Sequence, residues 1–228
     1  MACLNADSWQ SAILEESQSI QEAGTWTVHD MSDLRAGRQS VGSKWVFKVK
    51  HNADRFGAWY KARIVDKGYS QIEGIDYDET FAPVTRYDCL RLIIALATYL
   101  GLDSDQLDIT SGFLDGDLIE VICMVPAPGI GLHGKILRLD QGLHGLKQVP
   151  LAWFEKLSEA LAEIGFISLP FDPCVFISTD HKIIVDVYVD DITTAGSRLD
   201  INHVMDHLRS RFKVTVKGNL KYILGIEI

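Results

Sequence analysis

The chain has 228 residues, 47% of them hydrophobic, and a formal net charge of −9. That length supports a sizeable core in one or two domains, and there is no run of about 18 apolar residues to span a membrane. The opening Met1-Ala2-Cys3-Leu4-Asn5-Ala6-Asp7 lacks the basic and apolar regions of a secretory signal. Cys3, Cys89, Cys123 and Cys174 form no C-x-x-C pair, which excludes a zinc ribbon or redox motif and reads as reduced packing thiols of an intracellular protein. Net negative charge repels phosphate, but it is unevenly spread. Between Lys44 and Glu73 seven cations (Lys44, Lys48, Lys50, Arg55, Lys61, Arg63, Lys67) face three acids (Asp54, Asp66, Glu73), so the segment is +4 and the remainder −13.

An amphipathic helix is predicted from about Ser8 to Glu22, with Asp7 or Ser8 as N-cap and Gly24 as stop. Two strands follow, near Gly42–Lys50 and Trp59–Asp66, joined by a turn at Asn52–Ala58. On the second strand Lys61 and Arg63 share a face, because side chains repeat every two residues. On pattern alone an ordinary solvated face is the plainer reading. A helix near Asp88–Leu100 precedes a strand ending at Asp108, a strand Glu120–Val125 and a Pro/Gly-rich loop from Pro126 to Gly134. That loop has no G-x-x-x-x-G-K-[ST] and is not a phosphate cradle. A helix from about Pro150 to Ile164 has Pro in its first turn and Gly165 beyond its end. Short strands near Cys174–Ser178 and Ile183–Val189, a helix Ile201–Phe212, and strands near Val214 and Tyr222–Ile228 finish the chain. Interleaved elements with short connections predict an antiparallel α+β fold rather than a doubly wound sheet.

The chemistry concentrates at Tyr188-Val189-Asp190-Asp191, an acidic turn between β-branched runs. Adjacent carboxylates cannot pair with each other and favour a hard divalent cation. An isolated Asp-Asp is otherwise a solvated turn. The second acidic strand end, Gln106-Leu107-Asp108-Ile109, is expected to lie beside the hairpin and complete a nest of three carboxylates. Nucleotidyl-transfer sites use such nests to hold two metals about 4 Å apart. His133, His144, His181, His203 and His207 form no metal-ligand pattern with any cysteine.

Ordered blocks carry a resemblance. They are Gly24-Thr25-Trp26, Val41–Lys50, Tyr60–Val65, Lys67–Gln71, Glu73–Tyr77, Glu79–Val84, Gln106–Asp108 and Phe113–Leu118. Gly145-Leu146-Lys147-Gln148, Tyr188–Asp191 and Leu220–Glu227 complete them. From Trp9 to the end the chain resembles the reverse transcriptase of copia-type long-terminal-repeat retrotransposons. The resemblance implies an RNA-directed DNA polymerase with right-hand fingers and palm, the palm sheet antiparallel with packed helices. It implies residues 1–23 as a helix leading from an upstream polyprotein, and 24–228 as a fingers/palm core ending at the primer grip.

The same resemblance implies roles. Asp108 and Asp190 would bridge two Mg²⁺ ions, with Mn²⁺ as a substitute and Asp191 as a nearby third carboxylate. Lys61 and Arg63 would meet the incoming deoxynucleoside triphosphate. Phe113 would sit against its sugar and exclude a 2′-hydroxyl, although a core phenylalanine is the plainer reading without the resemblance. Gln148 would contact the incoming nucleotide, and Leu224-Gly225-Ile226 would grip the primer. Lys147 is open between phosphate and solvent, and Tyr188 between the primer terminus and strand packing. Implied partners are an RNA or DNA template with primer, an upstream integrase and a downstream RNase H. The implied location is the cytoplasm, or a virus-like particle for an active element.

Four positions depart from the family pattern: Leu151 replaces a cation, Gly112 an alanine, His144 a tyrosine, and Asp186 puts a charge in an apolar strand. By period two, Asp186 shares a face with Asp190. The ending after the primer-grip block leaves a thumb, a connection and an RNase H domain unaccounted for. The alternative reading is therefore a truncated, catalytically silent remnant that at most binds nucleic acid.

Overall fold

A computed structural model describes residues 5–34, 40–51, 58–110 and 112–228. In chain order these form α1 (Ala6–Ala23), β1 (Trp26–Asp30), β2 (Ser43–His51), β3 (Ala58–Asp66), α2 (Tyr87–Leu100), β4 (Asp103–Ile109) and α3 (Gly112–Asp115). Then come β5 (Asp117–Met124), β6 (Lys135–Gln141), α4 (Val149–Glu163), β7 (Phe166–Leu169), β8 (Asp172–Ser178), β9 (Ile184–Tyr188) and β10 (Asp191–Gly196). The last elements are α5 (Arg198–Arg211), β11 (Val214–Asn219), β12 (Tyr222–Ile223) and β13 (Ile226–Glu227). Strands pair only antiparallel within these sheets, giving the mixed, antiparallel architecture the sequence predicts. The turn expected at Asn52–Ala58 falls almost wholly outside the described residues, as do Cys3 and Ser111.

The chain divides into two units, one of residues 1–80 with 113–152, the other of 81–112 with 153–228. In the first, α1 begins at Ala6 rather than at an Asp7 or Ser8 cap, because Asn5 takes a left-handed backbone (φ 68) that starts the helix earlier. Gly24 stops it as expected, at φ 64 with its N–H returned to the last turn. Trp9 of α1 meets Phe47 and Tyr60 edge-on at 5.2 and 4.6 Å, which seats the helix on the β2–β3 ribbon. The core beneath gathers Ile20, Ile64, Met124, Leu137 and Leu143, all nearly inaccessible, each worth about 1.5–3 kcal/mol of burial. Two strands of this unit escape the sequence reading. β1 pairs with β6 (Trp26↔Leu139), and β6 with β5, to make a three-stranded sheet.

The second unit is a six-stranded sheet in the order β11-β4-β10-β9-β8-β7. Its two faces are covered by different helices, as alternation along a strand requires. Val175 and Ala195 pack with Ile93 and Ala97 of α2. The next residue, Phe176, turns the other way to meet Phe154 of α4 at 6.4 Å. α5 joins α4 through His207 Nε2, 2.8 Å from the Ala160 carbonyl, and Ser197 caps α5 by accepting the Asp200 N–H. The described cysteines, Cys89, Cys123 and Cys174, are free thiols, and no helix of the described residues is long and apolar enough to cross a membrane.

Candidate active site

β9 and β10 form a two-residue hairpin: Tyr188 pairs with Asp191, and Val189 and Asp190 make the turn. Val189 sits at φ 59, a conformation that costs a β-branched residue roughly 1–3 kcal/mol. Both turn carbonyls are held. Trp153, 1% exposed, donates its indole N–H to the Val189 oxygen at 3.0 Å, and the Ile109 N–H donates to the Asp190 oxygen at 2.9 Å. The second bond ties the end of β4 to the acidic turn. Gly112 lies against the same tryptophan. A Cβ there would come within 2.8 Å of the Trp153 ring and 3.1 Å of Asp190 Oδ1, so the alanine of the family pattern has no room here.

β10 continues down β4 with Asp191 directly opposite Asp108 and Ile192 opposite Leu107. Leu107 and Ile109 turn into the core while Gln106 and Asp108 stay half-exposed on the other face. Asp108 and Asp191 therefore stand side by side. Lys217 of β11 donates to both, with Nζ 2.9 Å from Asp108 Oδ1 and 2.7 Å from Asp191 Oδ1. The Gln106 amide donates to Asp191 at 3.1 Å. Partial burial pulls the Lys217 pKa down, but its hydrogen bonds to Asp191 and Asp108 outweigh it and the net shift is upward. Carboxylate oxygens from two strands thus converge on one point, which the Lys217 ammonium occupies. Asp190 lies one residue earlier, in the turn. Among the described residues no three His, Cys, Asp or Glu side chains converge closely enough to hold a metal, so three carboxylates do not form a single nest here.

Asp186 is opposite Thr193, and Tyr188 opposite Asp191, so Asp186 shares its face with Asp191. The expectation that it shares one with Asp190 fails because Asp190 belongs to the turn, where strand alternation has ended. Asp186 is 1% exposed and accepts the Thr85 hydroxyl at 2.6 Å. Burial raises its pKa to about 6, against the Thr85 hydrogen bond and with help from Asp172. In the β12–β13 hairpin, Leu224 (φ 48) and Gly225 (φ 85) are the two turn residues and Ile226 begins β13. Positive φ at both positions is the turn that two-residue hairpins favour, and Tyr87 donates its hydroxyl to the Leu224 carbonyl at 3.2 Å.

The remaining candidates belong to the first unit. Lys61 and Arg63 alternate with buried Ala62, Ile64 and Asp66 on β3. The β2–β3 register adds what β3 alone could not reveal. Lys48 is opposite Lys61, Val46 opposite Arg63, and Lys44 and Lys50 lie at alternate positions beside them, so five cations line one ribbon face. Lys50 Nζ also stands 5.9 Å over the Trp59 ring. The opposite alternation turns Asp66 into the core at 3% exposure, with neither carboxylate oxygen hydrogen-bonded, and burial pushes its pKa to about 8. Phe113 is half-buried against the core and meets His144 edge-on at 5.3 Å. Burial, then the charges of Arg63 and Lys61, lower the His144 pKa to about 4, so it is a neutral ring partner. Gln148 is 5% exposed and engaged at both ends. It accepts from Gln71 at 3.0 Å and donates to the Asp76 carbonyl at 2.9 Å and to Glu120 at 3.3 Å. Lys147 donates to the Tyr77 hydroxyl at 2.9 Å and lies 4.4 Å over that ring.

A family profile described as "Reverse transcriptase (RNA-dependent DNA polymerase)" matches residues 25–228. The retrovirus-related Pol polyprotein from transposon TNT 1-94 of Nicotiana tabacum is 36% identical over 95% of this chain and 17% of its own length. That from transposon RE1 of Arabidopsis thaliana is 38% identical over 98% of this chain and 16% of its length. The transposon Ty1-GR1 Gag-Pol polyprotein of Saccharomyces cerevisiae is 25% identical over 97% of this chain and 13% of its length. Among solved structures, a foamy viral protease-reverse transcriptase in complex with double-stranded DNA superposes with a TM-score of 0.42 at 12% identity, covering 91% of this chain and 31% of that one. The chain belongs to the reverse transcriptase family, as a domain of the copia-type retrotransposon polyproteins. It spans about one sixth of the length of the plant relatives it matches.

Proposed function

We propose that this chain is an RNA-directed DNA polymerase core that adds deoxynucleotides to a primer by two-metal nucleotidyl transfer. The second unit serves as the palm and the β2–β3 ribbon as fingers. The observation that carries the reading is the register of Asp191 against Asp108, with one cationic nitrogen within hydrogen-bond distance of both carboxylates. That donor set suits a hard divalent ion, since two anionic oxygens from neighbouring strands favour small oxygen-seeking cations. Asp108 and Asp191 are the residues we assign to hold Mg²⁺, or Mn²⁺ in its place, with Asp190 as a third carboxylate that would have to move in from the turn to join them. Bound there, the metals supply acidification of the primer 3′-hydroxyl and charge neutralisation at the departing pyrophosphate.

The chain's own residues do the rest. Trp153 and the Ile109 N–H fix the backbone of the acidic turn from which Asp190 and Asp191 project. In the first unit Lys61 and Arg63, joined by Lys44, Lys48 and Lys50, offer positive charge to triphosphate or template phosphates. Phe113 is the sugar gate, kept in place by the neutral His144 ring. Gln148, with its polar atoms already bonded, supports the nucleotide pocket by fixing Gln71, Asp76 and Glu120 around it. The Leu224-Gly225 turn, opening into Ile226, is the primer grip. Integrase and RNase H neighbours, template and primer, and a cytoplasmic or particle location follow from a polyprotein origin like that of the relatives.

Primer extension on an RNA template with deoxynucleotides and Mg²⁺ tests the proposal. Incorporation by the chain, lost in Asp190→Asn, is the expected result. No incorporation even with a supplied thumb and RNase H leaves the silent remnant as the reading.

A further inference from the structure

β11 is irregular at one residue. Its ladder with β4 runs Val214↔Ile109, Thr215↔Asp108, Val216↔Leu107 and then Gly218↔Gln106. Lys217 is therefore the extra residue of a β-bulge, with Gly218 at φ 81 beside it. Bulges re-aim a side chain, and this one sends an ammonium to Asp108 at 2.9 Å and Asp191 at 2.7 Å. The groups facing that point are Gln106 and Asp108 from β4, Asp191 from β10 and Lys217 from β11.

The lysine side chain is 40% exposed, so the amine can leave for water on its flexible stem at modest cost. While it stays, it offsets one of the pair's two negative charges and holds the carboxylates together. A divalent ion seeking the same oxygens meets a like charge already there. We propose that Lys217 is a tethered counter-ion of this site, which keeps Asp108 and Asp191 together before metal arrives and competes with divalent cations for them. The inference rests on the assignment of those two carboxylates as metal holders. It makes Lys217 a positioning residue that sets the metal concentration at which the site fills. Apparent affinity falls by the fraction of time the pair is free, so an amine bound nine-tenths of the time weakens metal binding about tenfold.

Titrating the 228-residue chain with Mn²⁺ and reading the free-ion electron paramagnetic resonance signal tests this. Lys217→Met is expected to bind Mn²⁺ about tenfold tighter than the parent, Lys217→Arg within roughly threefold of it, and Asp108→Asn added to either to lose the ion. A Lys217→Met chain that binds no tighter than the parent overturns the proposal. A second measurement needs only the parent protein and an assignment variant. With ¹³Cε-labelled lysine, the signal missing in Lys217→Arg is expected to shift saturably with Mg²⁺, and a signal that stays put at full ion occupancy overturns it. The outcomes separate the two readings. Tighter metal in Lys217→Met without primer extension defeats only the polymerase assignment. Primer extension with unchanged metal affinity defeats only the role of Lys217.

Discussion

Asp66 and Phe113 show how far a single side chain can be read from its position. Asp66 lies on the buried side of β3 with no hydrogen bond to its carboxylate, and its folded pKa of about 8 stands far above the ordinary 3.8. A raised carboxylate pKa means that the fold binds a proton the unfolded chain has released. Its contribution is intact below about pH 4 and is lost as pH climbs towards 8. Asp66→Ala is therefore expected to gain stability over the parent progressively from pH 4 to pH 8. At the upper end the gain should reach several kcal/mol, at about 1.4 kcal/mol for each pH unit between the two pKa values, as urea denaturation at each pH would report. A gain independent of pH would show that the carboxyl titrates in the fold as it does in the unfolded chain, and would overturn the raised pKa. Phe113 makes a different kind of test. If its ring meets the sugar, Phe113→Ala admits ribonucleotides in a primer-extension assay, and unchanged sugar discrimination removes it from the gate. In the sequence, Asp66 was only one more charge in a basic segment. Alternation along β3 could have put it inside, had the buried face been known. Gln148 was legible as part of a motif, but its burial was not, because Gln71, Asp76 and Glu120 reach it from distant parts of the chain.

At the scale of elements, the hairpin of β9 and β10 was readable because β-branched runs flank an acidic turn. Its exact closure was not. The turn takes Val189 and Asp190 and leaves Asp191 as the first paired residue, which decides that Asp191 rather than Asp190 stands opposite Asp108. The cause is a backbone with positive φ at a valine, held by a tryptophan 36 positions away. Trp153→Phe keeps the ring but drops the indole N–H, and is expected to cost about 1–2 kcal/mol in denaturant unfolding. Val189→Gly in that background should recover part of the loss by removing the cost of the left-handed conformation. No recovery would mean that the turn stores no strain. β1, β6 and β7 escaped notice for a simpler reason. None of the three alternates cleanly: β1 and β7 are short and expose neighbouring residues in succession, and β6 buries Ile136 and Leu137 in succession. The bulge at Lys217 was likewise illegible, because it is a register shift against β4 and has no local signature beyond Gly218.

Across the whole molecule, family and antiparallel architecture were open to reading from ordered blocks and interleaved elements, while the division into units was not. Residues 113–152 return to the company of the first eighty, and 153–228 to that of 81–112, a pairing set by tertiary contact rather than by any linker. The charge account also resolves only at this scale. An acidic chain places five of its cations on one ribbon face and spends another, Lys217, on the carboxylates of β4 and β10. The central claim is that those carboxylates form a divalent-cation site, and the most direct measurement is a crystal of this chain equilibrated with Mn²⁺ and recorded at the manganese absorption edge. An anomalous peak between Asp108 and Asp191, with Lys217 withdrawn, is expected. Manganese bound elsewhere at saturation, with the ammonium still on both carboxylates, would contradict it.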